Sequence, residues 1–150
     1  MLPSMPTGPR LLVVEDDDAI RKLLVRALQR AGFAVDAAPG GAGALQLAAV
    51  TDYAVIILDL MMPGMSGFEF IDAFHAASPA ARSVILVITA STGAVLTKLD
   101  ARRVHAVIRK PFDLNDLVSL VQGIAGAWNT HAEPAREPSA PIALVARPAN

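Results

Sequence analysis

Between residues 10 and 128, short apolar runs alternate with stretches of helical periodicity. Leu11–Val14 is wholly apolar, the mark of a strand buried on both faces. From Ala19 to Ala31, residues Ile20, Leu23, Leu24, Ala27 and Leu28 share one helical stripe that Gly32 ends. Phe33–Ala37 predicts a second strand, Pro39–Gly43 a turn and Ala44–Val50 a second helix. Ala54–Leu58 is the most strand-like run in the chain. Met62–Gly67 predicts a loop, with Ser66 placed to cap a helix through Phe70, Ile71 and Phe74 that Ser78-Pro79 stops. Val84–Ile88 predicts a fourth strand, Val95–Arg102 a weak helix and His105–Arg109 a fifth strand. Asp113 then caps a helix carrying Leu114, Leu117, Val118, Leu120 and Val121.

Apolar strands alternating with helices predict an α/β fold, a doubly wound parallel sheet covered on both faces. Sites in such sheets form beyond the carboxyl ends of the strands. The expected organisation is an N-terminal extension over residues 1–9, a domain over 10–128 and a Pro/Ala-rich flexible tail over 129–150. That tail holds four prolines and six alanines without a helix or strand period. It is expected to be dispensable for folding. Its one apolar patch, Ile142–Val145, reads as a chance cluster, with docking as the alternative.

A chain that is 53% hydrophobic and 18% charged is not disordered as a whole. Its 13 basic and 14 acidic residues leave a net charge of -1, which argues against a broad basic surface and hence nucleic-acid binding. The absence of cysteine excludes disulfides, zinc ribbons and thiol catalysis, and three scattered histidines do not suggest a zinc site. No apolar run approaches the ~20 residues of a membrane span. The first ten residues lack a signal peptide's apolar core, so a cytoplasmic chain is expected.

The predicted strand ends carry the chemistry. Glu15-Asp16-Asp17-Asp18 follows the first strand, Asp59 the third, Thr89 the fourth and Lys110-Pro111 the fifth. A parallel sheet crowds these groups at one edge, where carboxylates repel by several kcal/mol at an effective dielectric of ~20. A hard divalent cation relieves that repulsion, and oxygen-only ligands suit Mg²⁺. Cation, ammonium and hydroxyl around a carboxylate form the environment a phosphoryl group needs. For Asp17 or Asp18, capping of the first helix is the expected role. Lys110 is one of three lysines beside ten arginines, which hints at a positional need for a compact ammonium. Met61, Met62 and Met65 read as packing and loop-cover residues, and Phe68, Ile71 and Phe74 as core. His75 and His105 read as structural.

In order and spacing, LLVVEDDDAIRKLL, VIILDLMMPGMSGFEF, LVITA and IRKPF resemble the receiver domain of two-component response regulators, over residues 10 to about 127. The resemblance implies a flavodoxin-like five-stranded sheet of order 2-1-3-4-5. It makes Asp59 the phosphoacceptor. Mg²⁺ would be held by Asp16, Asp59 and the backbone carbonyl of Met61, with Glu15 reaching it through water. Thr89 would bond a phosphoryl oxygen, Lys110 would pair with the phosphate, and Lys110-Pro111 would be cis. The implied donor is a histidine kinase or a histidine phosphotransfer protein. Residues 129–150 are too few for a helix-turn-helix of the usual size, so a stand-alone regulator acting through protein contacts is expected. It would be no turnover enzyme, only the catalyst of its own phosphorylation and of slow acyl-phosphate hydrolysis.

One position departs from the family. An aromatic residue is expected three places before the lysine, where this chain has Val107 between Ala106 and Ile108. A stiff, short valine cannot trade an exposed for a buried ring. Phosphorylation is therefore expected to change the face around the fourth helix, fifth strand and fifth helix less, or the partner reads another surface such as the first helix or the Met61–Ser66 loop. Two other readings stand beside this one. The first is a receiver-shaped interaction module that needs no phosphorylation. The second is a phosphatase of the haloacid dehalogenase type, which wants an Asp two residues after the nucleophile, where this chain has Met61.

Overall fold

The computed structural model describes residues 8–130 and 143–145. Strands β1 (Arg10–Val14), β2 (Ala34–Ala38), β3 (Val55–Asp59), β4 (Val84–Thr89) and β5 (Ala106–Arg109) form one parallel sheet in the order 2-1-3-4-5. The side-chain period of two divides their apolar residues between two cores. Leu12, Val14, Ile56, Leu58, Ile85 and Val87 pack with Phe70 and Phe74 on one face. Leu11, Val13, Val55, Ile57, Leu86 and Ile88 pack with Leu24, Leu28, Leu117 and Val121 on the other. Strands buried on both faces read as continuous apolar runs, which is why the pattern was strongest there.

Helices α1 (Asp18–Arg30) and α5 (Leu114–Thr130) cover the second core, while α2 (Gly41–Val50) and α3 (Gly67–Ala77) cover the first. The expected caps are in place. Asp17 accepts the Ile20 N–H at 2.9 Å, and Asp113 accepts that of Asp116 at 3.0 Å. Ser66 accepts the Glu69 N–H at 3.2 Å while Glu69 accepts that of Ser66 at 3.1 Å, a reciprocal box that sets the start of α3. Among the described residues no helix is long and apolar enough to cross a membrane.

Three elements differ from the sequence reading. Helix α2 begins at Gly41, ahead of the expected Ala44, because its first turn is built of glycines that periodicity discounts. The fourth helix, α4, spans only Gly93–Leu96 rather than Val95–Arg102. Local hydrogen bonds end it: the Thr97 hydroxyl donates to the Ala94 carbonyl at 2.8 Å, and Asp100 accepts the Arg102 N–H at 2.9 Å.

The third difference falls in the segment expected to be a flexible tail. Helix α5 runs on to Thr130, and Ala143–Val145 forms a further strand, β6, parallel to β5 on its outer side. The apolar patch thus has a place in the sheet, at an edge that would otherwise present unpaired backbone groups. Residues 1–7, 131–142 and 146–150 lie outside the described residues, and with them most of the expected extension and tail.

Candidate functional site

The strand order reverses between β1 and β3, where a doubly wound sheet opens a crevice at its carboxyl end. Asp59 closes β3 and is 4% exposed; Glu15 follows β1 and is fully buried; Asp16 is exposed. One oxygen from each of the three carboxylates lies within 4.8 Å of the others. Lys110, just beyond β5, reaches across with Nζ 2.7 Å from Glu15 Oε1 and 3.4 Å from Asp59 Oδ2. The backbone braces this cluster. The Glu15 N–H donates to the Ala38 carbonyl at 3.2 Å, and the Lys110 N–H to that of Thr89 at 2.9 Å.

Thr89 is fully buried at the end of β4, one position beyond Ile88, the register partner of Asp59. Its Oγ1 accepts the Ser91 N–H at 3.0 Å, leaving the hydroxyl proton for another acceptor. The Met61 N–H donates to Asp59 Oδ1 at 3.2 Å, while the Met61 side chain is exposed. The Lys110-Pro111 peptide is cis, as the resemblance implied. The structure therefore brings Glu15, Asp16, Asp59 and Lys110 together, with Thr89 and Met61 beside them. His75 lies elsewhere, edge-on against Phe74, and Val107 is buried in the core of the first face.

Burial pushes the Glu15 carboxyl up to about 7; its hydrogen bond with Asp59 adds to this, and Lys110 opposes it. Burial alone would lower the Lys110 pKa, but Glu15 and Asp59 outweigh it and hold the ammonium above its ordinary value. Glu15 Oε2 is buried with no hydrogen-bond partner. An orphaned carboxylate oxygen beside two further carboxylates fits a small oxygen-seeking cation such as Mg²⁺.

A pH dependence follows. The folded chain binds the Glu15 proton more tightly than the unfolded chain, whose ordinary value is near 4.5. The stability this confers is complete below that value and is lost as pH rises through about 7. Without divalent cations, stability is expected to fall by roughly 1–3 kcal/mol between pH ~5 and ~8. Urea unfolding across this range measures it, and Glu15→Gln should flatten the profile. An unchanged slope in that variant would exclude Glu15 as its source.

Two supporting residues escaped the sequence reading. The Arg21 guanidinium donates to the Glu15 carbonyl at 2.9 Å and the Asp16 carbonyl at 3.5 Å, and it also pairs with Asp18. It fastens the loop that presents both acids. The spacing of Asp18 and Arg21, three apart in the first helical turn, was its only signal. Gly67 starts α3 against the end of β3: a Cβ there would lie 2.6 Å from the Asp59 carbonyl oxygen. Nothing local in the sequence announces that approach.

Residues 11–122 match a family model described as the response regulator receiver domain. The chain is 33% identical over 114 residues to the response regulator receiver protein CpdR of Brucella abortus, covering 75% of this chain and 93% of that protein. Other matched relatives, named as transcriptional regulators, are longer, with as little as 26% and up to 54% of their length covered. Among solved structures, the chemotaxis protein CheY4 of Vibrio cholerae superposes with a TM-score of 0.71 at 31% identity, over 79% of this chain and 99% of that one. The response regulator TrrA of Thermotoga maritima, solved in complex with Mg²⁺-BeF, gives 0.68 at 30% identity, over 77% and 98%. These relatives are regulatory proteins by name.

Proposed function

Because the chain belongs to the response regulator receiver family, we propose that it is a phosphoacceptor in two-component signalling and that Asp59 receives the phosphoryl group from a phosphohistidine. The observation that carries this reading is Asp59 itself: a buried carboxylate at a strand end, with an ammonium at 3.4 Å and two further acids beside it. An oxygen of Asp59 attacks phosphorus in line, the P–N bond breaks, and the imidazole of the donor leaves. A histidine kinase or a histidine phosphotransfer protein is that donor.

Charge gathers on the equatorial oxygens of the phosphoryl group during transfer. Lys110, held by Glu15 and Asp59, is positioned to pair with one of them, and the Thr89 hydroxyl can donate to another. Asp16 and Asp59, with the Met61 carbonyl, would hold Mg²⁺, and Glu15 would reach it through water. When bound, that cation neutralises the crowded carboxylates and the incoming phosphoryl charge. Water attacking the acyl phosphate would later release the phosphate, so the chain catalyses its own modification and its slow reversal. The phosphorylated state would act by altering protein contacts.

Exposure to acetyl phosphate with Mg²⁺, and separately to a phosphorylated histidine phosphotransfer protein, should each add one phosphate. A chain that stays unmodified under both would instead be an interaction module that works without phosphorylation.

Arg21 gives this site a second handle. Arg21→Ala removes the donor to the Glu15 carbonyl and loosens the acidic loop. Mg²⁺ affinity is expected to fall about tenfold, the effect of losing one charged hydrogen bond of ~1.4 kcal/mol. A titration followed by backbone amide shifts measures this, and unaltered affinity would remove Arg21 from the site.

A further inference from the structure

Among the described residues, the sheet takes up a segment that the functional reading leaves unused at the edge of β5. Ala143–Val145 lies parallel to β5 in the register Ala106↔Ala143, Val107↔Leu144 and Ile108↔Val145. We propose that the outer edge of β5 is a strand-docking site for short extended apolar segments, and that its resident occupant is the chain's own Ala143–Val145.

The connection makes the cis arrangement feasible. A parallel neighbour requires a crossover, and here α5 supplies it. The 17 residues of α5 carry the chain back along the sheet by about 25 Å. Residues 131–142 can span up to ~40 Å when extended, enough to return to the start of β5.

The composition makes the occupant specific. Ile142–Ala146 is the only run of consecutive apolar residues from 131 to 150, and it supplies the unbroken apolar pattern a sheet edge accepts. Pro141 and Pro148 bracket it. Proline has no N–H to donate, so the pairing cannot grow far in either direction.

The same features make the occupant exchangeable. A strand of three residues gains few hydrogen bonds, each modest in net terms, and ordering its backbone offsets much of that gain. A free edge of β5 would present open N–H and C=O groups, a template for any extended chain. A strand-forming partner at this edge therefore has to displace the chain's own segment. Capture of such a partner and occupation by β6 are mutually exclusive. This inference rests on the sheet register and stands apart from the phosphoacceptor reading.

Hydrogen exchange on the full chain tests it. In wild type, the β5 amides that face the edge should exchange slowly and independently of protein concentration. Leu144→Pro, in the middle of β6, should speed their exchange at least ~tenfold while β3 amides stay protected. A synthetic peptide of sequence SAPIALVARP should restore protection to the variant in a saturable way. Equal exchange of β5 in wild type and variant, or a peptide without effect, would overturn the proposal. Protection in wild type that grows with concentration would overturn the cis assignment and place the strand of a second copy on the edge.

Discussion

Asp59→Asn is expected to reduce phosphate uptake from small donors to background. The substitution preserves shape: an amide oxygen can still accept the Met61 N–H that Asp59 Oδ1 accepts at 3.2 Å. What disappears is the anionic nucleophile, and without it no acyl phosphate forms. Nearby groups offer no replacement. Glu15 is fully buried and occupied by Lys110 at 2.7 Å, and Asp16 stands on the exposed side of the cluster. The variant should also relax the site. Glu15 loses the Asp59 contribution to its raised pKa, so its carboxyl should move down from about 7 while burial keeps it above the ordinary range. Phosphate incorporation followed by intact mass measures the first effect, and carboxyl chemical shifts against pH measure the second. Incorporation at the wild-type level would mean another residue is the acceptor.

Removal of the Asp16 carboxylate should have the largest effect on metal binding. Asp16 is exposed and packs no core, so Asp16→Ala costs the fold little. It is nevertheless one of the three acids whose oxygens lie within 4.8 Å. Mg²⁺ binds through few protein groups and keeps several waters, so losing one charged ligand matters more than for a cation held by many. Affinity is expected to fall by at least ~30-fold, about 2 kcal/mol at one charged contact. The metal-free variant should be as stable as wild type or slightly more so, because one of the crowded carboxylates is removed. Mg²⁺ titration by calorimetry, with urea unfolding alongside, reads both quantities. An affinity within twofold of wild type would show that Asp16 is not a ligand.

How far the sequence revealed this arrangement depended on the range of the forces involved. Leu11–Val14, Ala54–Leu58 and Val84–Ile88 were readable because burial on both faces leaves no polar positions to interrupt them. The groups at their carboxyl ends were then readable from topology, since a parallel sheet must bring Asp59, Thr89 and the acidic pair to one edge. The caps Asp17, Ser66 and Asp113 were readable because a cap is satisfied within three residues. Helix α4 was misjudged where Thr97 and Asp100 bond their own backbone in competition with the helix. Strand β6 was hidden because its pairing depends on an edge 37 residues earlier in the chain, between Ala106 and Ala143, and nothing in Ile142–Val145 names that edge. Arg21 and Gly67 were missed for a similar reason. One acts through a side-chain reach to two carbonyls, the other through a missing Cβ against the end of β3.

The central claim is that Asp59 forms the acyl phosphate. Borohydride reduces an aspartyl phosphate to homoserine and leaves free carboxylates and phosphate esters untouched. Wild-type chain treated with acetyl phosphate and Mg²⁺, reduced, digested and sequenced by mass spectrometry should carry homoserine at position 59 and nowhere else. Homoserine at Asp16 or another aspartate, the corresponding five-carbon alcohol at a glutamate, or phosphorylated protein with no reduced acid at all, would contradict the assignment.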